Sequence, residues 1–208
     1  RTMQILSRVC LILLVLAVGR EATGATLPAK MAIGFAAMNA RVTPLWAAKE
    51  EGFFAKNGVD AQPIFIRGAP TLNAALLSGD IQAGYTGGTA VMGAAVGGAD
   101  LKILAILTNE VTYDLVARPG IKSPEDLRGK QVGVTSIGGT NWIGSMLWLE
   151  HFGLDPSRDK ISIQVIGDQT VRAQALEAGK IDAASVDTIF SKRLEQRGFT
   201  VLGDPHKV

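Results

Sequence analysis

The stretch ALLSGDIQA at residues 75–83 returns as ALEAGKIDA at residues 175–183, with Ala, Leu, Gly, Ile and Ala in the same register. In both copies an apolar run of helical character leads to a glycine and then to a short apolar strand. The first copy continues into TGGT at residues 86–89 and the second into VDT at residues 186–188. The period is too long for a solenoid unit, which spans roughly 20–50 residues. The repeat therefore predicts two similar α/β lobes that face a shared cleft; chance likeness of two helix–glycine–strand junctions is the alternative.

From Lys30 onward, strand and helix patterns alternate, which predicts an α/β fold built on largely parallel sheets. Residues 108–118 combine mixed polarity with strand character and are predicted to cross between the lobes. The predicted organisation is a first part of lobe 1 over residues 26–112, lobe 2 over 113–202 and the start of a return crossover over 203–208. The predicted strands are residues 31–35, 59–66, 81–85, 101–107, 131–135, 161–166 and 183–186.

The first 25 residues have the parts of a secretory signal peptide. Arg8 precedes an apolar run at residues 9–18, and small residues follow at 22–26. The apolar run is shorter than the roughly 20 residues that a helix needs to span a bilayer, so a cleaved signal peptide is favoured over a retained membrane anchor. The sequence predicts cleavage near Ala25 and a periplasmic or extracytoplasmic location.

Charge and cysteine content narrow the function classes. The chain has 21 Lys and Arg residues against 19 Asp and Glu, and loss of Arg1, Arg8, Arg20 and Glu21 with the signal peptide leaves 18 of each sign. Without a basic run, binding to nucleic acid has little support. The only cysteine is Cys10, inside the predicted signal peptide, so we expect no disulfide, cysteine nucleophile or thiolate metal site in the mature chain.

Ligands of parallel α/β sheets bind beyond the carboxyl ends of the strands, where the next helices begin. Gly lets a ligand approach the backbone closely, and the N–H groups at helix starts favour negative charge. An oxyanion or a carboxylate held by backbone amides of both lobes fits these glycine loops and helix starts. Six such junctions are predicted, several of them rich in Gly and hydroxyl residues: residues 36–43, 67–69, 86–89, 136–141, 167–169 and 187–188.

Some of these residues have a structural alternative. The glycine pair at 87–88 fits a tight strand-to-helix turn as well as ligand contact. The run at 138–140 favours ligand contact, because Ser136 and Asn141 add polar groups beside it. Asp187 fits recognition of an amine or the cap of its own helix equally well.

Catalysis has little support in the sequence. The only histidines are His151, at the end of a predicted helix, and His206, near the last residue. Neither has a nucleophile or a metal-ligand partner at a useful spacing. The residues therefore favour a binding protein that is not an enzyme, without a metal or a cofactor.

Three segments carry a family resemblance. PLWAAKEEGFFAKNGV at residues 44–59 resembles the opening segment of periplasmic solute-binding proteins of ABC transporters. The subgroup is the nitrate/sulfonate/taurine type, which includes binders of thiamine-pyrimidine precursors. Residues 75–89 resemble its AL-x-x-G-x-I-x-A helix–strand and Gly-rich turn, and VAR at 116–118 with SPEDLRGK at 123–130 is similar to its start of lobe 2. The resemblance runs from about residue 30 to residue 202.

This resemblance implies a two-lobed periplasmic-binding-protein fold of the type II class, closing on a small-molecule solute and delivering it to a membrane permease. We expect a monomer. Family members continue further and return to complete lobe 1, so the chain is expected to be truncated at its C-terminus, with an exposed sheet edge. Carried over by position, the ligand contacts would be Asn39, Thr43, Gly87, Gly88, Thr89, Ser136, Gly138, Thr140, Asn141 and Asp187.

Two other function classes stay open. One is an enzyme like the pyrimidine-precursor synthases on the same type of fold, which turnover of candidate ligands would support; the missing cysteine counts against it. The other is the effector-sensing domain of a transcription regulator, which the predicted signal peptide opposes. For the binding protein, a sulfonate-, nitrate- or carboxylate-like anion suits the Gly and hydroxyl loops, and neutral heterocycles are the alternative.

Overall fold

Two β-sheets with helices between their strands form the part of the chain that the computed structural model describes, residues 28–108 and 113–205. The predicted signal peptide, residues 1–25, lies outside the described residues. The predicted boundary between the lobes at residue 112 also lies outside them. Below, lobe 1 denotes residues 28–108 and lobe 2 denotes residues 113–205.

The elements alternate as the sequence predicts. Lobe 1 contains β1 (Ala29–Phe35), a 3-10 turn (Ala40–Val42), α1 (Thr43–Glu50), α2 (Phe53–Lys56), β2 (Val59–Phe65), α3 (Ala69–Ser78), β3 (Ala83–Tyr85) and α4 (Gly88–Val96). Lobe 2 contains β4 (Tyr113–Ala117), a 3-10 turn (Pro124–Leu127), β5 (Gln131–Val134), α5 (Thr140–His151), β6 (Ser162–Val165), α6 (Gln169–Glu177), β7 (Ala183–Asp187), α7 (Thr188–Glu195) and β8 (Thr200–Gly203). Among the described helices, none is both long and apolar enough to cross a membrane.

The two sheets share one parallel core topology. The lobe 1 sheet has the order β2-β1-β3, and all of its pairs are parallel. The lobe 2 sheet has the order β6-β5-β7-β4-β8, so its first three strands repeat the lobe 1 arrangement with parallel pairing. Strand β4 then runs antiparallel to both β7 and β8. The repeat therefore extends from the sequence to the order of the strands.

The repeated isoleucine packs in the same way in both lobes. A Cβ added at Gly34 in β1 would lie 2.5 Å from Ile81 Cδ1, and one added at Gly133 in β5 would lie 2.5 Å from Ile181 Cδ1. Ile81 and Ile181 are equivalent residues of the repeat and are almost fully buried. Each central strand thus carries a glycine because the isoleucine that follows the repeat helix occupies the space above it.

The core is larger in lobe 2 than in lobe 1. Along β4, Leu115 belongs to a buried cluster with Trp148 and Leu149 of α5, whereas Val116 belongs to a second cluster with Leu176. Because neighbouring strand residues point to opposite faces, the lobe 2 sheet buries both of its faces. Lobe 1 has one such cluster among its described residues, made of Ile33, Phe35, Val42, Leu45 and Ala61.

The predicted strand at residues 101–107 is wrong. Residues 101–106 have no regular secondary structure, and Leu104 and Ile106 are 89% and 72% exposed. A strand needs a neighbour for its backbone groups, and no described strand of the lobe 1 sheet pairs with this segment. The apolar composition alone therefore does not make a strand here. Met92 and Val96 of α4 also expose apolar side chains on lobe 1.

Candidate functional site

The carboxyl ends of the parallel strands in one lobe face those of the other. A Cβ added at Gly87 of lobe 1 would overlap the Thr140 hydroxyl of lobe 2. A Cβ added at Gly68, which has a φ of +84°, would lie 3.4 Å from the Ser136 hydroxyl. A side chain at position 87 would keep the lobes further apart, whereas the contact at position 68 is an ordinary van der Waals distance. The loops that the sequence predicts as ligand-binding therefore meet where the lobes approach each other.

Two charged contacts also join the lobes at this level. The Arg41 guanidinium lies 3.8 Å from the centre of the Tyr113 ring, a distance suited to a cation–π interaction. The Tyr85 hydroxyl donates to the Arg41 carbonyl at 2.6 Å, and burial raises the pKa of Tyr85 although Arg41 opposes this shift. Arg67 Nη2 lies 3.7 Å from Asp168 Oδ2. The cation–π contact and the Arg67–Asp168 contact each join one residue of lobe 1 to one of lobe 2. The hydrogen bond from Tyr85 lies within lobe 1 and holds the Arg41 loop in place.

The helix starts at this interface differ in how they are capped. Helices α4 and α5 begin after Gly87 and Gly139, and neither start has a side-chain cap. By contrast, Asp168 and Asp187 accept hydrogen bonds from backbone N–H groups at the starts of α6 and α7. The first N–H groups of an uncapped helix need another acceptor, and the helix dipole favours a negative one. The starts of α4 and α5 therefore present backbone N–H groups that no side-chain cap satisfies.

Buried hydroxyl groups lie beside these helix starts. Thr86 Oγ1, Thr89 Oγ1 and Ser136 Oγ are inaccessible to solvent and have no hydrogen-bond partner among the described residues. A buried polar atom without a partner is costly, and the large majority of such atoms in proteins have one. These three hydroxyl groups are therefore available for hydrogen bonds to a polar group between the lobes.

The structure brings six of the ten predicted ligand contacts to this interface or beside it. Gly87, Gly88 and Thr89 form the start of α4, and Ser136, Gly138 and Thr140 form the loop and start of α5. The other four lie elsewhere or are engaged within their own lobe, as the next two paragraphs describe.

Asn39 and Thr43 lie in the first loop of lobe 1. Asn39 Oδ1 accepts a hydrogen bond from Arg41 N at 3.1 Å and caps the 3-10 turn. Thr43 is the first residue of α1 and is exposed. Asn39 therefore acts on the interface through Arg41, which reaches Tyr113 of lobe 2.

Asn141 and Asp187 use their side chains inside lobe 2. Asn141 Oδ1 accepts from Thr135 N at 3.1 Å, and its Nδ2 donates to the Ser185 carbonyl at 2.8 Å. Asp187 Oδ1 accepts from Phe190 N at 3.1 Å, and its Oδ2 accepts from Gln169 Nε2 at 2.6 Å. Of the two interpretations that the sequence allows for Asp187, the structure has the helix cap.

The main residue that sequence reasoning misses is Arg172. It is 2% exposed, on the face of α6 that also buries Gln169 and Leu176. Burial lowers its pKa to about 10, so the guanidinium is still charged at neutral pH. The signal that could have found it is the helical spacing, because an arginine four residues before a core leucine lies on the apolar face.

His151, for which the sequence gives no catalytic partner, is not part of this interface. His151 ends α5, at the opposite end of that helix from Thr140, and its ring packs edge-on against Trp148 at 5.7 Å. His206 lies outside the described residues. The arrangement at the interface offers hydrogen-bond donors, helix dipoles and cations, which suit binding of an anion.

Comparison with known proteins begins with the sequence. A family model described as "NMT1/THI5 like" matches residues 39–198. Relatives from Brucella abortus and Brucella suis are 34% identical over 141 residues and carry the description "Putative binding protein". The matched part is 67% of this chain and 42% of each relative, so the chain spans less than half the length of these relatives.

Solved structures share the fold. A protein from Bordetella bronchiseptica superimposes with a TM-score of 0.75 at 24% identity, covering 85% of this chain and 57% of its own. The alkanesulfonate-binding protein SsuA from Xanthomonas axonopodis pv. citri, bound to MOPS, gives 0.69 at 23% identity, with coverages of 86% and 62%. The periplasmic aliphatic sulphonate binding protein SsuA from Escherichia coli gives 0.66 at 22% identity, with coverages of 87% and 62%. These likenesses confirm the predicted two-lobed periplasmic-binding-protein fold.

Proposed function

Because the chain belongs to the NMT1/THI5-like family, we propose that it is the extracytoplasmic solute-binding component of an ABC uptake transporter and holds a small anion between its lobes. The observation that carries the proposal is the pair of uncapped helix starts, α4 and α5, beside three buried hydroxyl groups without partners. The structural neighbours named as sulfonate-binding proteins support a solute-binding role.

A sulfonate-, nitrate- or carboxylate-like group matches the donors at this interface. Such a group accepts several hydrogen bonds at once, and its charge suits the positive ends of two helix dipoles. Each hydrogen bond to a charged group contributes about 1.5–3 kcal/mol, so a handful supplies much of the roughly 8 kcal/mol that a micromolar affinity requires. The sulfonate ligands named for two structural neighbours favour the sulfonate among these groups.

We assign different roles to the predicted site residues. Direct contact falls to the two helix starts and the loop before α5: Gly87, Gly88, Thr89, Ser136, Gly138 and Thr140. Asn39 and Thr43 belong to the rim formed by the first loop, and Asn141 and Asp187 hold the lobe 2 loops in place through their internal hydrogen bonds.

The rest of the proposed organisation follows the family. Residues 1–25 act as the signal peptide, 26–112 form the first part of lobe 1, 113–202 form lobe 2, and 203–208 begin the return crossover. The partner is the transporter permease in the membrane, and the protein works as a monomer without catalytic turnover. The relatives described as binding proteins support binding over catalysis.

The test is isothermal titration calorimetry of the full chain with ethanesulfonate, taurine, nitrate and acetate. We expect one of these anions to bind, and Ser136→Ala or Thr89→Ala to weaken it about tenfold or more, because each variant loses a hydrogen bond to a charged group. Ser157→Ala is the matched control, because Ser157 is exposed in a loop of lobe 2 and makes no side-chain hydrogen bond among the described residues. Absence of binding to the whole panel would overturn the proposal.

A further inference from the structure

We propose that Arg172 is a positioning residue that makes the site selective for a negatively charged solute, and that the anion between the lobes supplies the counter-charge for this buried guanidinium. The proposal rests on the proposed function and assigns the selectivity to one residue. It is carried by the hydrogen bonds of Arg172, its burial and the chemistry of its neighbours.

Arg172 joins the three parallel strands of lobe 2. Its Nη1 donates to Thr135 Oγ1, directly after β5, and to the Gly167 carbonyl, just after β6, the latter at 2.6 Å. Its Nη2 donates to the Ser185 carbonyl of β7 at 3.2 Å. One guanidinium therefore fixes the spacing of the strand ends from which the lobe 2 loops emerge.

Thr135 passes this constraint to the site. Its hydroxyl accepts from Arg172 and its N–H donates to Asn141, so the residue is held from both sides. The next residue is Ser136, whose buried hydroxyl has no partner among the described residues and lies against Gly68 of lobe 1. Arg172 therefore acts on the interface through Thr135, without direct contact.

The charge of Arg172 has no direct ion-pair partner among the described residues of lobe 2, although Asp168 and Asp187 act on it from a greater distance. Its three acceptors are a hydroxyl and two carbonyls, and no carboxylate of the described residues lies within the 4.0 Å of an ion pair. The acids nearby, Asp168 and Asp187, direct their oxygens to the starts of α6 and α7 and to Arg67 and Gln169. A buried charge is costly without compensation, and the low dielectric leaves its field largely unscreened. An anion beside Ser136 and Thr140 offsets that charge.

The test compares two isosteric probes, ethanesulfonate and the neutral ethanesulfonamide, on the full chain by calorimetry. We expect the wild type to bind the sulfonate at least tenfold more tightly than the sulfonamide. Arg172→Gln should reduce this ratio at least tenfold, whereas Arg172→Lys, which keeps the charge, should stay within about threefold of the wild-type ratio. A purely structural role would weaken both probes equally and leave the ratio unchanged.

Two further variants separate charge from scaffold. Thr135→Val removes the hydroxyl acceptor but keeps the cation, so it should weaken both probes and preserve the ratio. Arg158→Gln, at an exposed arginine of the same lobe, is the matched control and should change neither affinity. Thermal melts report whether each variant folds. If Arg172→Gln does not fold, the ratio of sulfonate to sulfonamide affinity in Arg172→Lys decides whether the charge of residue 172 sets the selectivity.

The outcomes distinguish this inference from the proposed function. Binding of both probes by the wild type with equal affinity, an unchanged ratio in Arg172→Gln or a lost ratio in Arg172→Lys overturns the role of Arg172 alone. Failure of the wild type to bind either probe or any anion of the larger panel overturns the proposed function, and the role of Arg172 with it.

Discussion

The hydroxyl of Thr140 in lobe 2 occupies the space that a side chain at Gly87 of lobe 1 would need, so the lobes can approach this closely only with glycine at position 87. Gly87 has a φ of −75°, which any residue adopts. The requirement for glycine is therefore set by the approach of the lobes and not by the backbone conformation. This relationship gives the first of four predictions.

Gly87→Ala should weaken binding of the anion that the wild type accepts by about tenfold or more, equivalent to ~1.4 kcal/mol. The added methyl group overlaps the Thr140 hydroxyl and keeps the start of α5 away from the start of α4. Titration calorimetry measures the effect, with Gly93→Ala as control because a Cβ there meets nothing within 4 Å. Equal affinity in Gly87→Ala and wild type would mean that the lobes bind solute without this close approach.

Gly133→Ala should lower the free energy of unfolding by about 1–3 kcal/mol, the range for an overpacked core. The new Cβ would lie 2.5 Å from Ile181 Cδ1. Shortening the isoleucine in Gly133→Ala/Ile181→Val removes that atom, so a double-mutant cycle in urea should show a favourable coupling above about 0.5 kcal/mol. Strict additivity of the two single changes would contradict the packing described for the repeat.

Asp159→Asn should flatten the dependence of stability on pH in acid. A hydrogen bond from Arg158, helped by the Asp155 N–H and by Arg128, lowers the pKa of Asp159 to about 2 from its usual 3.8. Between these values the unfolded chain binds more protons, so this carboxylate stabilises the fold fully above about pH 4 and loses its effect as the pH falls towards 2.

The measurement is urea denaturation of wild type and Asp159→Asn at several pH values between 2 and 7. The difference between the two proteins should be constant above pH 4 and shrink below it. A difference that stays constant down to pH 2 would show that the carboxylate has an ordinary pKa.

Leu104→Lys should reduce aggregation and binding of a hydrophobic dye while changing the free energy of unfolding by less than about 0.5 kcal/mol. Leu104 is 89% exposed and lies in the apolar segment that fails to form a strand. Light scattering at rising protein concentration checks the first expectation. Ile189→Lys, at an exposed residue of α7 outside this segment, should leave aggregation unchanged. A loss of stability in Leu104→Lys would show that the segment is buried in solution.

The fold could be predicted from the sequence to the extent that local pattern and repetition specify it. The repeat predicts two lobes, and both copies have the same three-stranded order, with Gly34 and Gly133 under equivalent isoleucines. Residues 101–107 were mispredicted because strand formation depends on a neighbour, which composition does not encode. The length and the apolar composition of this segment are necessary for a strand but do not by themselves produce one.

The sequence predicts loops that the structure places where the lobes meet, but not the residues that hold these loops in position. Glycine and hydroxyl residues after strands indicate ligand loops, and Thr89 and Ser136 indeed lie at the meeting of the lobes with unsatisfied hydroxyls. The pairing of Arg67 with Asp168 joins residues about a hundred positions apart, so no local sequence pattern predicts it. Arg172 is hard to predict from the sequence for another reason, because an arginine within a helix is ordinarily a surface residue.

The position of β4 has a mechanical consequence. The chain enters lobe 2 at Tyr113, and every residue from there to Ala117 is buried. Strand β4 is clamped between β7 on one side and β8 on the other, in the interior of the sheet and not at its edge. Force transmitted from lobe 1 along the backbone is therefore resisted by two rows of hydrogen bonds in shear. Lobe 2 therefore takes up such a force within its sheet and not at an edge of it.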